Sequence, residues 1–208
     1  MSGDLAEAQA TRRMRNRACV AAALAALTLL GGCISFGGKA PELLVALTSE
    51  KSAPAGAMAG GRMADALVVL DPEVERKLDV LRIPVQVDDT KIAYLKDAAW
   101  VERPARQFRH LLAETIRARG QRLVIEAGDL AIGGRTMLSG RLIDLGYDAR
   151  SQSVVVRYDA MRDNGGGTID ARRFEVIVPG IGPGAEMIGP ALNRAANQVA
   201  AQVADWVG

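Results

Sequence analysis

Hydrophobic positions along this chain come in blocks whose period changes from one block to the next. From Ala18 to Leu30 thirteen consecutive residues are apolar apart from Thr28, a run too short to cross a bilayer as a helix, which takes about 20. "ELLVALT" (Glu42–Thr48) and "DALVVLD" (Asp65–Asp71) are short apolar runs of the kind that form strands, and "PEVERKLD" (Pro72–Asp79) starts on a proline suited to a first helical turn, predicting about two turns of helix. "RIPVQVDD" alternates, and "KIAYLKD" follows a polar turn at Asp88-Asp89-Thr90, which predicts a hairpin. From Pro104 to about Arg119 the period lengthens. Phe108, Leu111, Leu112, Thr115 and Ile116 form one stripe, with Gly120 as the stop.

The second half reads mostly as strands. "RLVIEAG" is one, and "GRTMLSGRLIDLGYDA", "QSVVVRYDAMRD" and "TIDARRFEVIVPG" are three in succession, the last two joined by Asn164-Gly165-Gly166-Gly167, residues that tolerate a tight turn. A closing helix is predicted from about Pro190 to Trp206. Leu192, Ala195, Ala196, Val199, Val203 and Trp206 share one side, and Arg194, Asn197, Gln198, Gln202 and Asp205 the other. These elements predict an α+β fold: a mainly antiparallel sheet packed with two longer amphipathic helices, in a single domain.

The opening apolar run acquires a meaning from its flanks. Arg12, Arg13, Arg15 and Arg17 precede it, and Leu30-Gly31-Gly32-Cys33 ends it. A basic segment, a short apolar core and a small-residue exit describe a secretory signal peptide, and the exit is similar to a lipobox, with Leu30, Gly31 and Gly32 as the signal-peptidase recognition residues and Cys33 as the lipidation site. The division expected is a signal peptide over 1–32, a flexible tether over 33–40 and a domain over 41–208. Cys19 would leave with the leader, and Cys33 would be alkylated, so no disulfide is available. "TRRM" lacks the hydrophobic residues that a twin-arginine signal carries after its arginines, and Met14 offers a second start that leads directly into the apolar run.

Charge narrows the partners. The leader's four arginines exceed Asp4 and Glu7 by the whole formal +2, so the remaining 176 residues carry 22 basic and 22 acidic side chains. A neutral domain with 4% aromatics has neither the electrostatic footprint nor the stacking surface of a nucleic-acid binder.

Candidate chemistry is sparse. "GIGPGA" (Gly180–Ala185) has the spacing of a dinucleotide loop, but no strand follows it to carry the acidic ribose ligand. "FGGKA" lacks the first glycine and the Ser or Thr of a phosphate loop. His110 is the sole histidine and comes with no nucleophile motif. Asp88-Asp89 reads as a turn rather than as a pair of catalytic acids. No catalytic residue, cofactor or metal site is expected, and the chain is read as no enzyme. Tyr94 and Trp100 stand where a strand leaves for a helix. They either cover the core at that corner or form an exposed partner interface.

The lipobox, the strand "APELLVAL" and the segment "RIPVQVDDTKIAYLKDAAWVERPARQFRHLLAETI" together resemble the ABC-type transport auxiliary lipoprotein family, which includes paraquat-inducible protein C-like outer-membrane lipoproteins. The positions that carry the likeness are Ile92, Tyr94, Trp100, Glu102, Pro104, Leu111 and Leu112. Arg103 separates Glu102 from Pro104, which many members place side by side. The resemblance implies a lipid-anchored periplasmic accessory of an ABC transport system for lipids, with a mammalian-cell-entry-domain protein, a permease and an ATPase as partners and no catalytic residues. It implies an outer-membrane anchor, since Ile34 is not the Asp that enterobacteria use for inner-membrane retention. A homo-oligomer is left open. The alternatives are a periplasmic lipoprotein hydrolase, which would need His110 beside an acid or serine in a cleft, and a structural envelope lipoprotein unrelated to transport.

Overall fold

The computed structural model describes residues 43–57, 60–120, 122–127 and 136–208. The expected signal peptide, with Leu30, Gly31, Gly32 and Cys33, and the expected tether lie outside the described residues. Among the described residues, nine strands and two α-helices follow in the order β1 (Leu43–Val45), β2 (Leu67–Leu70), β3 (Glu73–Val74), β4 (Arg82–Gln86), β5 (Ile92–Trp100), α1 (Pro104–Arg117), β6 (Val124–Ala127), β7 (Thr136–Asp148), β8 (Ser153–Asp163), β9 (Ile169–Val178) and α2 (Ala185–Val207). This is an α+β fold on a mostly antiparallel open sheet.

The long strand β7 organises the sheet. Along one edge it pairs antiparallel with β8, which in turn pairs antiparallel with β9. Along its other edge it meets β2, β3 and β4 one after another, all parallel. β6 continues the sheet beyond β2, and the β4–β5 hairpin followed by β1 continues it beyond β4. The parallel ladders are short, and the antiparallel ones carry most of the paired residues.

Alternation along β8 shows how the sequence chooses a face. Val154, Val156, Tyr158 and Ala160 are buried under the helices, while Arg157, Asp159 and Met161 point the other way. β7 would break this pattern without its irregularity between Leu142 and Asp144. There one extra residue lets both Leu142 and Leu145 enter the core and turns Asp144 outward, as a β-bulge does. Both helices cover the same face. The stripe Phe108, Leu111, Leu112, Thr115 and Ile116 is buried as its spacing predicts, and Phe108 meets Tyr158 edge to face at 5.1 Å. Gly120, with φ of +67°, lies just beyond the end of α1.

Three elements differ from expectation. "PEVERKLD" is not a helix: Glu73 and Val74 pair with Arg141 and Leu142, because the open edge of β7 offers backbone partners there. Only one turn follows, with Leu78 N–H donating to the Glu75 carbonyl at 2.8 Å. α2 begins at Ala185, not Pro190, so Pro190 sits inside the helix. The earlier start buries Ile188 and seats Gly189 against Val45, where an added Cβ would come within 3.3 Å of a valine methyl. Asn197 is buried rather than on the solvent side.

Candidate functional site

Two surfaces carry the polar organisation of the domain. The first is the helix-free face of the sheet. Its central residues form cross-strand ion pairs: Arg173 holds Asp159 through two bonds of 2.6 Å, Arg141 reaches Glu73 at 3.1 Å, and Lys77 reaches Asp144 at 2.8 Å. Arg157 bridges Asp144 and Glu175. Hydrogen bonding from Arg173 holds the Asp159 carboxyl below its ordinary value. A cleft of about 410 Å³ opens at one end of this face, lined by Lys77, Gln86, Asp144, Asp148, Arg150 and Arg157 among others. Burial pushes the Asp148 carboxyl up, but hydrogen bonds from the Arg150 side chain and from the Arg150 and Ser151 N–H groups outweigh it, so the net shift is downward. The named cations of this face are engaged with carboxylates, which makes it a neutral, mixed surface.

The second surface is the junction through which the chain enters the domain. After β1 an extended segment crosses α1 and α2 and is gripped by side-chain amides. Gln107 accepts from Leu47 N–H at 2.8 Å and donates to the Glu102 carbonyl. Asn193 accepts from Thr48 N–H at 2.8 Å, and Asn197 donates to the Thr48 carbonyl at 2.8 Å while accepting from Glu50 N–H at 2.9 Å. Glu114 accepts from Ala53 N–H at 2.9 Å. Such contacts satisfy the backbone of a segment that has no sheet partner of its own. Sequence reasoning missed this grip. The asparagines lie on the polar side of a helical projection, and their partners are about 145 residues earlier in the chain.

The aromatic corner divides. Trp100 is 1% exposed and belongs to the core, so an exposed-anchor role for its indole is corrected: β5 pairs with β1 in the register Val45↔Trp100 and turns both side chains inward. Tyr94 is half-buried, with the Arg82 guanidinium 4.0 Å above its ring.

His110 is half-exposed and does stand beside an acid, as its Nδ1 touches Glu126 Oε2. Glu126 is shared, however, with Arg117 at 3.2 Å and Arg109 at 3.5 Å, and Arg109 also reaches Asp71 at 3.0 Å. The carboxylate is thereby the centre of an ion cluster joining α1 to β6. Asp88 ends the β4 strand in a side-chain turn. The Thr90 backbone N–H and the Lys91 side chain bring its carboxyl down to about 2. Gly180–Gly184 is a loop that enters α2. Among the described residues, no three His, Cys, Asp or Glu side chains are placed to hold a metal ion, and no helix is long and apolar enough to cross a membrane.

Comparison with known proteins adds a family to this geometry. The family model described as ABC-type transport auxiliary lipoprotein component matches residues 47–204. No curated protein matches the chain in sequence. Among solved structures, one titled an uncharacterized protein shares 15% identity at a TM-score of 0.63, covering 80% of this chain and 99% of its own. A Xanthomonas campestris protein of family DUF330 shares 16% identity at a TM-score of 0.64, covering 79% and 94%. At these identities the two share the fold.

Proposed function

Because the chain belongs to the ABC-type transport auxiliary lipoprotein component family, we propose that it is a non-catalytic, lipid-anchored accessory of an ABC transport system that moves lipid through the periplasm. The family match over residues 47–204 carries this reading. The motif Leu30-Gly31-Gly32-Cys33 supports it: the Cys33 thiol is lipidated, the chain is then cut before it, and the domain faces the periplasm from the outer membrane. Two or more acyl chains give stable anchoring, at roughly 0.8 kcal/mol per buried CH₂. The partners are a mammalian-cell-entry-domain protein, a permease and an ATPase. The helix-free sheet face, internally charge-balanced and carrying a cleft at one end, is the surface offered to a partner protein.

Detergent extraction followed by pull-down and mass spectrometry tests the proposal. Recovery of the mammalian-cell-entry-domain protein together with an acylated Cys33 peptide is expected. Repeated purification of the acylated protein without such a partner would overturn the transport assignment. Sedimentation of Cys33→Ser with membranes after a high-salt wash would overturn the anchor.

A further inference from the structure

Exposed aliphatic side chains from both faces of the sheet's β1 edge border the point where the described chain begins. Leu44 is 60% exposed, Val101 54% and Leu81 48%, and Leu43 beside them is also exposed. Isolated exposed leucines are ordinary on protein surfaces, but these lie on three adjacent segments. Leu44 pairs with Ala99, Val101 N–H donates to the Val45 carbonyl at 3.0 Å, and Trp100 N–H donates to the Leu81 carbonyl at 2.7 Å. Arginines flank the rim: Arg82 follows Leu81 and lies over Tyr94, and Arg103, two residues beyond Val101, pairs with Asp79.

We propose that this rim, Leu43, Leu44, Leu81 and Val101, is a membrane-contacting surface that seats the domain on the phospholipid headgroup layer beside its own anchor. The inference rests on the lipid-anchor reading of Cys33.

The length of chain outside the domain selects the occupant. Nine residues lie between Cys33 and Leu43, ten residue steps of at most about 3.3–3.6 Å each, so Leu43 stays within about 35 Å of Cys33. The domain cannot lend further slack, because Leu47, Thr48, Glu50 and Ala53 are each held to α1 or α2 by side-chain hydrogen bonds. So short a tether gives the rim a high effective concentration at the bilayer, and a small apolar area that would bind too weakly as a free ligand engages once anchored. Long cationic side chains suit such a boundary, since arginine buries its stem and keeps its head among polar groups. A seated domain would hold its helix-free face at a fixed tilt.

The test uses the full chain with its native anchor, an environment-sensitive fluorophore on Leu44→Cys, and vesicles of phosphatidylethanolamine and phosphatidylglycerol containing a brominated phospholipid. The same label on Val101→Cys is a second probe of the rim, and on Ile177→Cys, exposed on β9, it is the control. Loss of emission at 44 and 101, with emission at 177 retained, is expected. Flotation of the protein with the vesicles but no quenching at 44 or 101 overturns the seating and leaves the anchor intact. Failure to float overturns the anchor reading and the seating with it. Unquenched labels that become shielded as protein concentration rises would assign the rim to a second copy and also overturn the proposal.

Discussion

Asn197, on the last helix, closes a two-way hydrogen bond with the backbone around Thr48, giving its amide N–H to the Thr48 carbonyl at 2.8 Å and accepting from Glu50 N–H at 2.9 Å. These contacts tie the segment that follows β1 to the last helix. Removing a buried amide leaves two backbone groups without partners, which costs about 1–3 kcal/mol per unsatisfied group. Asn197→Ala is therefore expected to lower thermal stability and to raise amide exchange selectively at residues 47–50, read by hydrogen–deuterium exchange. Exchange that rises uniformly over the domain would contradict a local clamp.

Trp100 gives a different kind of test, because its ring is buried while its indole N–H finds no acceptor. Trp100→Ala opens a cavity in the core and is expected to cost about 3–5 kcal/mol. Trp100→Phe keeps an aromatic ring and removes the unpartnered donor, so its cost should be well below that of the alanine variant. Equal losses in denaturant unfolding for the two variants would show that the N–H has a partner.

Local signals account for what could be read along the chain. The β4–β5 hairpin, the glycine turn after β8 and the stripe on α1 each depend on residues within a few positions of one another. The parts that escaped depend on distant ones. Leu142, Asp144 and Leu145 do not alternate, and their placement makes sense only beside β8, across which the bulge forms. Glu73 and Val74 lie in a helix-compatible run, yet they pair with Arg141 and Leu142. Pro190 looks like a helix start, but burial of Ile188 two residues earlier decides the boundary. Trp100 and Tyr94 look alike in sequence and differ in burial because the irregularity in the β4–β5 ladder between Arg82 and Pro84 falls between them along β5.

Gly140 is required both by contact and by its φ of +154°, a backbone conformation that residues with a Cβ rarely adopt. A Cβ at this position would lie 2.1 Å from the Asp159 carbonyl oxygen and 2.8 Å from the Tyr158 hydroxyl, which itself donates to the Ser139 carbonyl at 2.8 Å. Gly140→Ala must push β8 away from β7 in the middle of their ladder. Overpacking of this kind costs about 1–3 kcal/mol, and here the obstacle is backbone, which favours the upper end. Gly166→Ala is the comparison, because an added Cβ there meets nothing within 4 Å. Thermal melts of the two variants should differ clearly, with Gly166→Ala near the parent protein.

Acid should weaken the domain through its surface carboxylates. Asp88 is brought down to about 2 from the ordinary 3.8 by the Thr90 backbone N–H and the Lys91 side chain, and Asp159 and Asp170 are lowered by hydrogen bonds from Arg173 and Arg162 respectively. A carboxylate whose pKa is depressed by folding binds fewer protons in the native state than in the unfolded chain between the two values, so stability rises with pH across that window. The contribution is complete above the unfolded value of 3.8 and is lost as pH falls toward about 2 for Asp88. Asn at position 88 keeps an acceptor for the turn but cannot titrate, which isolates the charge. The gap in melting temperature between the parent and Asp88→Asn is expected to be largest near neutral pH and to close as the solution is acidified through this window. A gap that stays constant with pH would mean that the turn is stabilised by shape alone, and that ionisation of Asp88 contributes nothing to the fold.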